Sequence, residues 1–232
     1  FSIPLRRCAV ITTISEATKE KVLSLYPVLR NKVVVIPDCL PQGFVRREKA
    51  FDSDCPRILQ VGTRPNKNVE RLIWAVSGLS CVLHIIGPLT SSQLELLRER
   101  GVRYENQSNI TEEEIQDAYV RSDIVCFVSL CEGFGLPILE ANATGRVVVA
   151  SNIEPIRTVA GDSARLVDPL DVKSIRSGLI SVMADRDLRG RLILNGFDNV
   201  EKYRVENVAL QYMNVYKAVL NASPNSVLPV SR

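Results

Sequence analysis

Residues 122–152 read SDIVCFVSLCEGFGLPILEANATGRVVVASN, and the reading of this stretch decides the fold. Residues 123–129 (DIVCFVS) form a continuous apolar run rather than an alternating one, as expected of a strand covered on both faces of a parallel sheet. Residues 146–151 (RVVVAS) form a second such run. Between them Gly133 and Gly135 permit a tight turn, and Pro137 suits a first helical position, where its missing N–H has no partner to lose. Strand, glycine turn, helix and strand make a βαβ unit, whose two strands run parallel.

Working outward, the same rhythm continues. Strands are expected at 57–62 (RILQVG), 81–87 (CVLHIIG), 102–105 and 164–168 (ARLVD). Helices fall between them with readable starts. Ser92 and Glu95 suggest a capping box before a helix at 94–100, and Thr111 and Glu114 another before 115–121. Pro155 also suits a first helical position, and Asp171 an N-cap for a helix reaching about Ala184. Helices at 187–202 and 205–221 close the chain; in the last, Val205, Val208, Ala209, Tyr212, Val215, Tyr216 and Val219 share one face. The prediction is an α/β class fold, a doubly wound, Rossmann-like parallel sheet over residues 57–222.

Residues 1–56 do not follow that rhythm. They predict a strand (8–14), a helix (15–25), a strand (32–36) and a linker rich in Pro, Gly and charge. Two strands and a helix do not stand alone as a sheet domain, so they pack on the main domain or end a missing one. Residues 223–232 are expected to be a flexible tail.

Composition narrows the function classes. The 232 residues are 46% hydrophobic and 24% charged, which excludes collagen-like, coiled-coil and disordered chains. A net charge of +3 is too small to suggest a nucleic-acid binder, so no nucleic acid is expected as a partner. Residues 1–60 hold 10 basic and 6 acidic groups; the rest hold 19 and 20. The basic leading segment is compatible with a peripheral membrane contact but is too scattered for a polybasic anchor. No apolar run approaches the ~18 residues of a membrane span. Arg6, Arg7 and the apolar residues 8–14 mimic a signal-peptide core, but Thr12, Thr13 and Glu16 favour a strand. Six cysteines without a C-x-x-C pair, and a single histidine, argue against zinc and for reduced thiols in a cytoplasmic protein. Cys8, Cys81 and Cys126 are expected inside strands, and His84 as a core histidine in mid-strand.

In an open parallel sheet, ligands bind where loops leave the C-terminal ends of the strands. Three such loops stand out. The first, Gly62-Thr63-Arg64-Pro65-Asn66-Lys67-Asn68, sets two cations at the mouth of a helix. It carries neither G-x-G-x-x-G nor a Walker-A pattern, which counts against NAD and ATP in their usual sites. Arg64 and Lys67 read either as a diphosphate clamp or as solvated charges on a polar turn. In the second, Cys131 to Ala141, Gly133 and Gly135 let the backbone approach a ligand, and the helix behind them aims its positive end at the turn. Glu132 precedes the glycines and Glu140 lies one turn into the helix; singly, each also reads as an ordinary solvated or dipole-complementing carboxylate. The third loop, residues 152–161, is placed to close over the same mouth.

With these residues in view, the sequence resembles a family 4 glycosyltransferase of the GT-B fold, in its C-terminal, donor-binding half. The stretches that carry the likeness are IPD (36–38), VGTRPNKNVERL (61–72), HIIG (84–87), residues 122–152, EPIRTVAGDSARLVDPLD (154–171) and VENVALQYMNVYKAVL (205–220). Glu132 and Glu140, with seven residues between them, match that family's two-glutamate motif. The resemblance covers nearly the whole chain.

It implies a retaining hexosyltransferase acting on a nucleotide-diphosphate sugar, with no metal or other cofactor, in polysaccharide or lipopolysaccharide-type biosynthesis. Glu132 would contact hydroxyls of the sugar, and the backbone around Phe134, Gly135 and Leu136 would meet sugar or phosphate oxygens beside Gly62 and Gly133. Glu140 would hold the ribose hydroxyls, Arg64 and Lys67 would neutralise the diphosphate, and residues 104–109 would border the base. The acceptor would be a saccharide or lipid-linked saccharide. Two departures stand out: Thr158 occupies a position where the family commonly has Glu, and residues 1–37 resemble only the end of the N-terminal domain. The start at Phe1 agrees with a partial chain whose N-terminal domain is missing, a separate subunit being the other reading. A non-catalytic nucleotide-sugar-binding module and a nucleotide-sugar epimerase are the competing functions.

Overall fold

The computed structural model describes residues 2–221, so the predicted tail at 223–232 lies outside the described residues. The chain divides into two compact units. One takes the described residues up to Leu40 and from Lys202 onward; the other is Pro41–Glu201.

The first unit holds helix α1 (Ser2–Arg7), strand β1 (Ile11–Thr13), helix α2 (Glu16–Leu25) and strand β2 (Val33–Val35). Strands β1 and β2 pair in parallel, with Ile11 opposite Val33. Ser15 caps α2 by accepting from the Thr18 N–H at 3.1 Å, which satisfies a helix donor that has no partner in its own helix. The expected strand at 8–14 is shorter than its apolar run. Cys8 closes α1 through its N–H to the Pro4 carbonyl at 3.2 Å and is exposed, so it is not the strand residue expected.

The second unit starts with β3 (Arg57–Val61), a 3-10 turn (Pro65–Lys67), α3 (Val69–Val76), β4 (Val82–Ile86), α4 (Ser91–Glu99) and β5 (Tyr104–Gln107). It goes on through α5 (Glu112–Arg121), β6 (Ile124–Phe127), α6 (Leu136–Thr144), β7 (Val147–Ser151), α7 (Ile156–Ala160), β8 (Ala164–Val167), α8 (Val172–Ala184) and α9 (Arg186–Glu201). A further helix, α10 (Val205–Asn221), belongs to the first unit. The strands form one parallel sheet in the order β5-β4-β3-β6-β7-β8. The chain moves outward from β3 to β5, returns to the middle at β6 and then moves outward on the other side. This is the doubly wound arrangement, with its switch point between β3 and β6.

The continuous apolar runs are buried as the parallel reading requires. All of β6 and β7 is buried, and Ile58, Ile73, Leu83, Ile85, Ile124, Val149 and Leu179 share one core. Each such side chain contributes about 1.5–3 kcal/mol by leaving water. At the N-terminal end of β6, buried Asp123 accepts from the Arg57 N–H at 2.8 Å and the Asp52 N–H at 3.2 Å, and pairs with Lys49. That carboxylate fastens residues 49–57 to the sheet.

Three local expectations are corrected. The capping box before α4 is Thr90 with Gln93 (3.2 and 3.0 Å), not Ser92 with Glu95. The same residue pattern occurs two positions earlier, and there Gln93 also donates to Glu70 at 2.8 Å, which anchors the earlier start. Strand β5 begins at Tyr104 rather than Val102, because the Val102 N–H returns to the Leu97 carbonyl at 3.1 Å and closes α4. Pro155 precedes α7 instead of opening it, and its peptide bond to Glu154 is cis. The Thr111–Glu114 box and the Asp171 cap are present as expected.

Candidate active site at the switch point

The loops after β3 and β6 leave the sheet on either side of the switch point, and their side chains meet across it. Gly62 turns the first loop with φ 85°, a conformation that favours glycine; a Cβ there would sit 3.2 Å from the Lys67 side chain. The Gly62 N–H donates to the Ile86 carbonyl at 2.7 Å, and the Thr63 hydroxyl to the Pro88 carbonyl at 2.6 Å, so the loop is fixed to the end of β4. Lys67 is then carried over the crevice, 5.1 Å from the centroid of the Phe127 ring.

Its Nζ meets Glu132 Oε1 at 2.6 Å, with both side chains largely buried, at 19% and 15% exposed. Asn66 Nδ2 donates to the same carboxylate oxygen at 3.3 Å and to the Cys131 carbonyl at 3.1 Å, while the Leu130 N–H donates to the Asn66 carbonyl at 2.8 Å. Asn68 is buried with φ 61°, a backbone state that asparagine tolerates better than most residues. Its Nδ2 donates to the carbonyls of Val128 (2.9 Å) and Pro169 (2.8 Å), which ties the ends of β3, β6 and β8 together.

The second loop turns at Gly135, whose φ of 139° favours glycine; a Cβ there would make only ordinary contacts, at 3.4–3.8 Å, with Ile138, Phe127 and Val159. Gly135 is also the N-cap of α6 and supplies no side-chain acceptor; Pro137 has no N–H and the Ile138 N–H donates to the Gly135 carbonyl at 3.0 Å, so what α6 turns toward the loop is the positive end of its dipole rather than a row of donors. Phe134 is buried and Gly133 exposed. One turn into α6, Glu140 accepts a hydrogen bond from the hydroxyl of fully buried Tyr119. Burial raises the Glu140 carboxyl above the ordinary glutamate value, opposed by the Tyr119 hydroxyl and the Lys67 charge. Burial and the facing carboxylate push the Tyr119 phenol well up, so it stays a proton donor.

The structure thus brings Lys67, Glu132 and Glu140 into one electrostatic group around the glycine turn. Arg64 opens the 3-10 turn beside them, but its side chain is exposed and makes no ion pair among the described residues. Thr158 is exposed on α7, donating to Glu154 at 2.7 Å, which also pairs with Arg157. His84 is buried in mid-strand, its Nε2 2.8 Å from Gln107 Oε1, with burial lowering its pKa. A cavity of about 430 Å³ lies at the ends of β6, β7 and β8, lined by Leu130, Asn152, Ile153, Asp168, Pro169 and Leu170; none of the predicted site residues lines it. Asn66, Asn68 and Tyr119 belong to the site without having been singled out. A tyrosine on the apolar face of α5 was the available signal, since a buried phenol needs a hydrogen-bond partner. Among the described residues there is no cluster of His, Cys, Asp or Glu suited to a metal, and no helix long and apolar enough to cross a membrane.

Strand order and crevice define the class: a doubly wound α/β domain, a fold in which ligands generally bind at the switch point. Residues 42–198 match the family described as "Glycosyl transferases group 1", and the chain belongs to that family. It is 27% identical over 232 residues to the "O-antigen chain mannosyltransferase B" of Escherichia coli, covering 90% of this chain and 60% of that protein. Its fold is that of the sucrose-phosphate synthase from Thermosynechococcus elongatus (TM-score 0.80, 21% identity, 94% of this chain and 60% of that one). It also matches the C-terminal domain of a glycosyl transferase group 1 family protein from Francisella tularensis (TM-score 0.60, 24% identity, 71% of this chain and 97% of that one). The chain therefore spans about 60% of the length of the first two proteins.

Proposed function

We propose that this chain is the donor-binding half of a GT-B glycosyltransferase of family 4, which moves a hexose from a nucleoside-diphosphate sugar to a saccharide or lipid-linked acceptor. The observation that carries the reading is the Lys67–Glu132 pair across the switch point, with Glu140 behind the glycine turn. A departing nucleoside diphosphate gains negative charge, and Lys67, Arg64 and the positive end of the α6 dipole are placed to stabilise it. Glu132, an acceptor-only carboxylate, suits the hydroxyls of the sugar; Glu140 suits the vicinal hydroxyls of the ribose. No metal or other cofactor enters this account.

Transfer with retention, a role in exported polysaccharide or lipopolysaccharide-type synthesis, and a peripheral seat at the inner membrane face complete the proposal. The Escherichia coli relative, named for O-antigen chains, supports a mannose donor and that pathway. The match to nearly all of a C-terminal domain supports an acceptor domain elsewhere in the full protein. The test is calorimetry with a panel including GDP-mannose and UDP-glucose. One donor should bind, Lys67→Ala should weaken it, and Glu140→Ala should abolish it. Absence of binding to every nucleotide sugar overturns the proposal.

A further inference from the structure

We propose that Tyr119 is a positioning residue for Glu140, fixing the carboxylate so that one oxygen is reserved for the ligand. The inference rests on the reading above in which Glu140 holds the ribose. The Tyr119 hydroxyl donates to Glu140 Oε2, and Oε1 has no hydrogen-bond partner among the described residues. The geometry therefore divides the carboxylate into a held oxygen and an available one.

The ring that makes the division is itself immobilised. Tyr119 is fully buried, and Phe44 packs edge-on against it, with centroids 5.3 Å apart and planes at 87°. One turn earlier on α5, Gln116 Nε2 donates to the Gln42 carbonyl at 3.3 Å, so the segment that carries Phe44 is pinned to the same helix. The chain passes so close there that a Cβ on Gly43 would fall 2.0 Å from Gln116 Nε2. On the other side, Thr144 Oγ1 donates to the Glu140 backbone carbonyl at 2.9 Å. Both partners of the Tyr119–Glu140 bond are thus braced by packing, as a preorganised binding group requires. A buried phenol without a partner is costly, so a phenylalanine would serve the core better. The hydroxyl is explained by the carboxylate it orients, and its hydrogen bond opposes the rise in the Glu140 pKa that burial causes.

The test is calorimetry of wild type, Tyr119→Phe and Glu140→Gln with guanosine and uridine diphosphates and their 2′,3′-dideoxy forms, repeated across pH. Tyr119→Phe should bind the ribose-containing diphosphate about tenfold more weakly, the loss expected for one hydrogen bond to a charged group. Its affinity for the dideoxy form should equal that of wild type, which also reports an intact site. The loss should deepen as pH falls, because the carboxyl protonates more readily without the phenol. Equal ribose discrimination in wild type and Tyr119→Phe, with discrimination lost in Glu140→Gln, overturns the role of Tyr119 alone. Undiminished discrimination in Glu140→Gln overturns the ribose assignment beneath it.

Discussion

Replacing Glu132 by Gln should strengthen the binding of a bare nucleoside diphosphate. The Lys67 ammonium has a carboxylate at 2.6 Å, so a diphosphate that engages Lys67 competes with that carboxylate and is repelled by it. Exposed ion pairs are worth about 0.2–1 kcal/mol, and breaking a buried one costs about 3–5. With side chains 19% and 15% exposed, this pair belongs between those limits. A release of about 1–2 kcal/mol corresponds to a gain of about five- to thirtyfold in affinity. The full sugar nucleotide should not share the gain if Glu132 contacts sugar hydroxyls as proposed, because the neutral amide introduced by Glu132→Gln would accept from them more weakly. Titration calorimetry of both ligands against both proteins, at low and high salt, measures the difference, which should shrink as salt screens the charges. Unchanged or weaker diphosphate binding by the variant would refute the reasoning. It would mean that Lys67 meets phosphate without leaving Glu132, the two being a fixed structural pair.

Asn68→Ala removes two donated hydrogen bonds and should cost about 2–4 kcal/mol in denaturant unfolding, through the buried carbonyls it leaves unpaired. Asn68→Gly should be about 1 kcal/mol less damaging, since φ 61° suits glycine; the reverse order would sink the account. Gly178→Ala, although better for a helix by about 1 kcal/mol, should lower the melting temperature. Its Cβ would meet Val167 at 2.4 Å, and such overpacking costs about 1–3 kcal/mol; a rise in melting temperature would contradict the packing. Glu140→Gln should raise the melting temperature at neutral pH. Burial holds the folded carboxyl's pKa above its unfolded value, so the ionised form weakens the fold above the folded pKa and the penalty vanishes below the unfolded one. A melting-temperature gap that stays constant on acidification would count against this.

The sheet was legible because each strand that crosses the core is apolar on both faces. DIVCFVS and RVVVAS needed no tertiary information to be read as buried parallel strands. Element ends were less legible, because they depend on which of two similar patterns finds outside partners. Thr90 with Gln93 prevailed over Ser92 with Glu95 when Gln93 also reached Glu70, a contact that spacing does not encode. The candidate site divides the same way. Glycines and charges marked the two loops, since both residue types are visible in sequence. The Lys67–Glu132 pair, Asn68 bonded to the ends of β6 and β8, and Tyr119 behind Glu140 join residues from different loops and helices. They exist only once the strand order is known.

That order also bears on why a diphosphate site should place two carboxylates beside its lysine. On the proposed reading, a sugar nucleotide brings hydroxyls that Glu132 can accept from, and so compensates the carboxylate for losing part of Lys67. The bare diphosphate left after transfer brings only like charge to Glu132. Specificity of this kind comes from a repulsive element as much as from an attractive one. On that reading the pair would favour the loaded donor over its own product, and it would do so in a loop held by the Asn66 and Asn68 hydrogen bonds. Glu140 adds no such discrimination, because donor and product carry the same ribose. On that reading, Glu132 would distinguish donor from product, and Glu140 would distinguish a ribonucleotide from other anions.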